Sequence, residues 1–122
     1  MDTQKILQKI DELKSLIVGD NTKWIKHNIA AQNLEWGPIS DKKMNQQEAE
    51  GWCKEQGGRL PTMIELLQAY KDKIPGFKSD YYWSSTTYAV ITDYAWFVGF
   101  NDGYPDYDTK TLPYYVRCVR GQ

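Results

Sequence analysis

Tyr94-Ala95-Trp96-Phe97-Val98-Gly99-Phe100-Asn101-Asp102-Gly103 is the stretch whose reading decides the fold. Tyr94, Trp96, Val98 and Phe100 recur at every second residue, with Ala95, Phe97 and Gly99 between them. A period of two belongs to a β-strand, whose successive side chains point to opposite faces. Asn101-Asp102-Gly103 then predicts a hairpin, because these residues accept the positive φ that a tight turn between strands demands. Tyr104 to Tyr107 reads as the returning strand, and Pro105, which has no N–H to donate, puts it at a sheet edge. On either side, Tyr81-Tyr82-Trp83 predicts a short strand and Tyr114 to Arg120 the last one.

Upstream the period lengthens. One helix is expected to start at the cap residue Asn45, with Glu48 three positions on as its capping partner, and to end at Gly57-Gly58. Its buried face would be Ala49, Trp52 and Cys53. A second helix begins at Thr62 with Glu65 in the same relation, and Met63, Leu66, Leu67 and Tyr70 form its expected buried stripe. Lys71 and Lys73 suit the negative end of its dipole, and Pro75-Gly76 closes it. Before these helices, Trp24-Ile25 and Leu34-Glu35-Trp36 read as short strands, with Gly37-Pro38 as a turn. The fold class is α+β: two helices with a mostly antiparallel sheet.

The N-terminal segment is of another kind. Ile6, Ile10, Leu13 and Ile17 alternate spacings of four and three, the seam of a coiled coil, and Gly19-Asp20-Asn21 stops the helix. Two heptads are too short to be stable alone. The segment is therefore expected to pack on its own domain or, the preferred reading, to join several copies, and isoleucine in both seam positions favours three strands. The chain thus divides into an oligomerisation helix over residues 1–20 and a domain over residues 21–122.

Of the 122 residues, 14% are aromatic, and most of these lie after Phe77. Such rings serve small cores and contact surfaces alike. A net charge of −1 with scattered Lys and Arg gives no footprint for nucleic acid or an anionic membrane. No apolar run is long enough to cross a bilayer, and Met1 to Leu16 does not read as a signal peptide, so assembly in the cytoplasm is expected. Cys53 and Cys118, the two cysteines, and His27, the one histidine, make no metal framework. His27 reads as a solvated residue. Ser84 and Ser85 are not read as nucleophiles, because a serine nucleophile needs a base and His27 has no visible partner.

Several phrases in order resemble one family: Leu34-Glu35-Trp36, Ala49 to Cys53, Gly58-Arg59-Leu60-Pro61-Thr62 with Glu65-Leu66, Tyr82-Trp83-Ser84-Ser85-Thr86, Ala95-Trp96, and Val116-Arg117-Cys118-Val119-Arg120. Taken together they resemble the Lcl C-terminal-domain family of bacterial and phage domains, over roughly Leu34 to Gly121. The resemblance implies a C-type-lectin-like fold, ligand binding, and Cys53 close to Cys118 at a long-range disulfide position. The absence of a signal peptide argues for reduced thiols, so the oxidation state stays open. The same absence, with the short coiled coil, points to a phage particle: a tail fibre, tip or decoration protein of the virion. The expected partners are further copies of the chain and a host cell-surface glycan or protein, or another virion protein.

On such a scaffold the segments Thr86 to Asp93 and Asn101 to Leu112 would carry the ligand. Their candidate contacts are Tyr88, Ile91, Thr92, Asp93, Tyr94, Asn101, Asp102, Tyr104, Asp106, Tyr107, Asp108 and Lys110. Tyrosine among short polar residues resembles antibody binding loops in composition. No cofactor is expected. Calcium on Asp102, Asp106 and Asp108 is a minority reading, since the spacing is not that of an EF-hand and the hairpin explains Asn101-Asp102 more simply. The chain is expected not to be an enzyme. The alternatives are a purely structural virion part and, further off, an enzyme related to formylglycine-generating enzymes, whose chemistry needs reactive cysteines.

Overall fold

The structure, a computed structural model, describes residues 24–29 and 32–121. The seam Ile6, Ile10, Leu13 and Ile17, and the division at residue 20, lie outside the described residues.

Both helices start as their sequence dictates. The Asn45 side chain accepts the Glu48 N–H at 2.8 Å while Glu48 accepts the Asn45 N–H at 3.1 Å, which opens helix α1 (Gln46–Glu55). Thr62 and Glu65 exchange the same pair of bonds at the start of α2 (Met63–Lys71). Each box satisfies two of the N–H groups that a helix start leaves without partners. Helix α1 buries Ala49 and Cys53 and leaves Trp52 half-buried. Helix α2 buries Leu66 and Ala69. Tyr70, expected in its buried stripe, is 38% exposed and leans edge-on against Phe100 over the turn at Gly103. A Cβ added at Gly103 would meet the Tyr70 ring, and φ there is +79°, a conformation that favours glycine.

The expected single sheet is two antiparallel sheets of three strands. One has the order β1 (Ile25–Ile29), β2 (Gln32–Ile39), β6 (Arg117–Gly121); the other runs β3 (Tyr81–Thr87), β4 (Tyr94–Gly99), β5 (Pro105–Thr109). A parallel bridge between Tyr82 and Tyr115 links them. Gly37-Pro38 is not a turn. It lies inside β2, at the irregularity between Trp36 and Ile39 in the pairing with β6. An irregular strand needs no N–H from Pro38, and Gly37 leaves room for the Trp24 ring. The last strand is shorter than expected, since Tyr114 and Tyr115 make only isolated bridges before β6 begins. Strand β3 is longer, and runs through Ser84-Ser85 with its own irregularity between Trp83 and Thr87.

Two apolar clusters fill the interior. Trp83, Phe97, Ala95, Val116, Leu60 and Ala49 gather around Cys53 and Cys118. Trp36, Tyr82, Val98, Leu66, Ala69 and Val119 form the second, against α2. Cys53 and Cys118 are joined as a disulfide, with Cα atoms 5.3 Å apart, tying α1 to β6 across 65 residues of sequence. Both cysteines are therefore committed to the scaffold.

His27 is not solvated. It is buried on β1, where its Nδ1 accepts the Trp36 indole N–H at 2.9 Å and its Nε2 lies 2.7 Å from Asp72. A buried indole needs an acceptor, and the alternation of β1 turns His27 inward to provide one. With Nδ1 accepting, Nε2 carries the proton donated to Asp72, whose carboxyl is held below the usual range mainly by this bond. Arg117 is also buried. Its Nε donates to the Gly37 carbonyl at 2.8 Å, one terminal nitrogen donates to the Pro75 carbonyl at 2.7 Å, and its guanidinium lies over Phe77 at 4.5 Å. Burial lowers its pKa to about 10. The arginine thus holds together two stretches of irregular backbone that have no strand partner at those carbonyls.

Candidate ligand-binding surface

The segment Asn101 to Leu112 is a hairpin turn, the edge strand β5 where Tyr104 to Tyr107 reads as the returning strand, and a second turn. This divides the candidate residues between two faces of one sheet. Trp96 pairs with Tyr107 and Tyr94 with Thr109, so these side chains share a face; Phe97 pairs with Asp106 and Ala95 with Asp108 on the other.

The first face carries an aromatic platform. Tyr88 stacks on Tyr107 with ring centres 4.0 Å apart and planes 16° from parallel. Trp96 stands edge-on to both, at 5.5 Å from Tyr88 and 5.4 Å from Tyr107, and Tyr94 lies 6.2 Å from Tyr107. Tyr107 is 40% exposed. The next residue along this face of β4 is Val98, fully buried with Tyr82 against α2. The platform is therefore the uncovered end of a face whose other end is core. Its rings are positioned by backbone: the Tyr88 N–H donates to the Tyr94 carbonyl at 2.9 Å, closing the segment between β3 and β4. The Tyr88 hydroxyl is held above its ordinary pKa by the Tyr107 hydroxyl beside it. Ile91, Thr92 and Asp93 are exposed on the segment beside it.

The second face carries a groove of 320 Å³ lined by Tyr81, Phe97, Asp102, Tyr104, Pro105, Asp106 and Tyr114. Asp108 stands behind it and accepts the Tyr114 hydroxyl at 3.1 Å. Lys110 is a joint of the scaffold: its N–H donates to the Asp93 carbonyl and its carbonyl accepts the Gln46 N–H, both at 3.0 Å. Asn101 is exposed on the turn, with its Oδ1 close against Gly99.

The structure thus brings Tyr88, Tyr94 and Tyr107 together, gathers Asp102, Tyr104 and Asp106 elsewhere, and leaves Asn101 and Lys110 with neither group. Trp96, read from sequence as scaffold, belongs to the platform. Counting outward from Asn101-Asp102-Gly103 would set it opposite Asp108; the turn takes in Phe100 as well, and that shift of one residue pairs Trp96 with Tyr107. Tyr81, Phe97 and Tyr114 reach the groove through long-range packing that no local pattern carries.

Among the described residues, no three His, Cys, Asp or Glu side chains are placed to hold a metal ion. Asp102, Asp106 and Asp108 instead accept the N–H groups of Tyr104, Tyr107 and Thr109, at 3.1, 2.8 and 2.8 Å. Ser84 is spent on structure: its hydroxyl donates to the Trp96 carbonyl at 2.6 Å and accepts the Thr86 N–H at 3.1 Å, filling the gap the β3 irregularity leaves. His27 has a carboxylate partner after all, but its other nitrogen is taken by Trp36. No helix among the described residues is long and apolar enough to cross a membrane.

Tyr82 lies at the core end of this face, fully buried, with its hydroxyl accepting the Lys78 N–H at 2.8 Å. Burial raises its pKa to about 12, against an ordinary value of 10. The folded state then keeps a proton that the unfolded chain loses. The stability this contributes is whole below pH 10 and is lost as pH rises towards 12, by up to about 1.4 kcal/mol per pH unit. Urea unfolding in that window should show the slope. Tyr82→Phe should cost about 1 kcal/mol at neutral pH for the lost bond and reduce the alkaline slope, leaving the share that Tyr114, also raised to about 12, contributes; an unchanged slope would place its origin elsewhere.

Among the described residues, two small antiparallel sheets, two capped helices and a disulfide between the first of these helices and the last strand define a small α+β domain with partly exposed aromatic rings at one end of a sheet. The chain belongs to the Lcl C-terminal domain family, whose model matches residues 18–120 and so takes in both sheets, β1 included. No curated protein was found to match it.

Proposed function

We propose that this chain is a non-catalytic binding module of C-type-lectin-like fold that reads a cell-surface glycan on the platform of Tyr88, Tyr94, Trp96 and Tyr107. The observation that carries this is the stacked Tyr88–Tyr107 pair flanked by Trp96 on an uncovered sheet face. Flat neutral rings match the apolar faces of sugar rings, and their rigidity lowers the entropic cost of binding. Exposed Thr92 and Asp93 beside the rings supply partners for hydroxyl groups. The reading includes display in several copies, a trimer through Ile6, Ile10, Leu13 and Ile17, on a phage particle. One platform binds weakly, and linked copies multiply the affinity without new contacts.

A glycan screen and binding to intact bacteria, with the full chain, provide the test. Tyr107→Ala removes the central ring from an edge strand and should weaken binding about tenfold or more while the domain stays folded. Deleting Met1 to Val18 should give a folded monomer with lower avidity. An unchanged mass would end the trimer reading, and wild-type affinity in Tyr107→Ala would remove the platform from recognition.

A further inference from the structure

The groove on the opposite face of the same sheet has a chemistry of its own. Tyr81, Phe97 and Tyr114 form an aromatic corner. Phe97 and Tyr114 stack at 4.5 Å and 27°, and Tyr81 stands across them at 69° and 84°, with centres 5.3 and 5.8 Å away. Tyr104, 72% exposed, adds a fourth ring at the mouth, beside the carboxylates of Asp102 and Asp106. None of the lining residues is cationic. Asp108 and Asp106 help burial to push the Tyr114 hydroxyl up to about 12, so this wall remains a neutral phenol with an electron-rich face.

We infer that this groove binds an alkylated ammonium group, of the kind carried by choline. Ring faces present negative potential to a cation, and several rings meeting at an angle surround it. The two carboxylates add longer-range attraction. Each already accepts a backbone N–H on its Oδ1, of Tyr104 and of Tyr107, so what the pair chiefly adds to the groove is negative charge. A quaternary nitrogen needs no hydrogen-bond acceptor, only charge and ring faces. The 320 Å³ of the groove admits such a head group with its first carbons. This inference does not rest on the platform, which lies on the other side of the sheet.

The test titrates the full chain with choline, and with the neutral alcohol in which carbon replaces the quaternary nitrogen, following amide chemical shifts. Saturable shifts at Tyr81, Tyr104 and Tyr114 with affinity in the millimolar range are expected, and the alcohol should bind about tenfold more weakly. The double variant Asp102→Asn, Asp106→Asn should lose much of that preference, and Tyr104→Ala should weaken choline binding; both change exposed positions and should keep the native amide spectrum. Tyr88→Ala should bind choline as the wild type does, which separates this site from the platform. Equal affinity for choline and the alcohol, shifts confined to other residues, or no saturable shift would each overturn the inference.

Discussion

Trp83→Ala is expected to cost about 3–5 kcal/mol, much of the stability of a domain this size. Trp83 is fully buried, with the rings of Phe97 and Tyr114 edge-on to it at 6.2 and 4.9 Å. Its indole N–H is shared between the carbonyls of Met44 and Leu112, at 3.0 and 3.1 Å. One side chain therefore pins the approach to α1 and the turn after β5 to the middle of β3. Alanine would remove the apolar volume and the donor together. Trp83→Phe separates the two losses: it keeps most of the volume but leaves the Leu112 carbonyl without the indole, and should cost about 1–2 kcal/mol plus a smaller packing term. Urea unfolding measures both. A loss under about 1 kcal/mol for Trp83→Ala would mean that the strap from Met44 to Leu112 holds without it.

Loss of the Cys53–Cys118 bond should be of similar size. The bond closes 65 residues of chain, and the loop-entropy account gives about 4 kcal/mol for a closure of that length. The paired variant Cys53→Ala, Cys118→Ala avoids a lone buried thiol and should lower the free energy of unfolding by that amount, and the urea midpoint with it, as should reductant on the wild type. If reductant leaves the midpoint unchanged while Trp83→Ala lowers it, the thiols are unpaired in the sample and packing alone holds α1 on β6. Because the bond lies in the interior, away from the platform, the paired variant should keep whatever binding the platform is proposed to give, at temperatures where it is folded.

Local chemistry was readable in this sequence wherever the partners are close along the chain. Asn45 with Glu48, and Thr62 with Glu65, announce two helices because both halves of each box lie three residues apart. Asn101-Asp102-Gly103 announces the hairpin for the same reason. What was lost depends on distant partners. His27 seemed solvated because Trp36, nine positions on, and Asp72, forty-five positions on, determine its burial. Gly37-Pro38 looked like a turn because no local pattern shows that Arg117 needs the Gly37 carbonyl or that Trp24 needs the space. The site divides in the same way. Its tyrosines and aspartates were picked out by composition, and the edge strand that carries several of them reads from Tyr104 to Tyr107, but their sorting onto two faces follows from the register of β5 on β4, which depends on the length of the turn between them.

Strand β5 is an open sheet edge, and open edges are templates on which further chains can add. The amide hydrogens of Tyr107 and Thr109, which β4 does not use, are taken by the carboxylates of Asp106 and Asp108. A second chain approaching there meets occupied donors and two negative charges. Tyrosine-rich surface and exposed backbone together would otherwise be a seed for fibrils. The acids that border the rings work against strand addition at this edge.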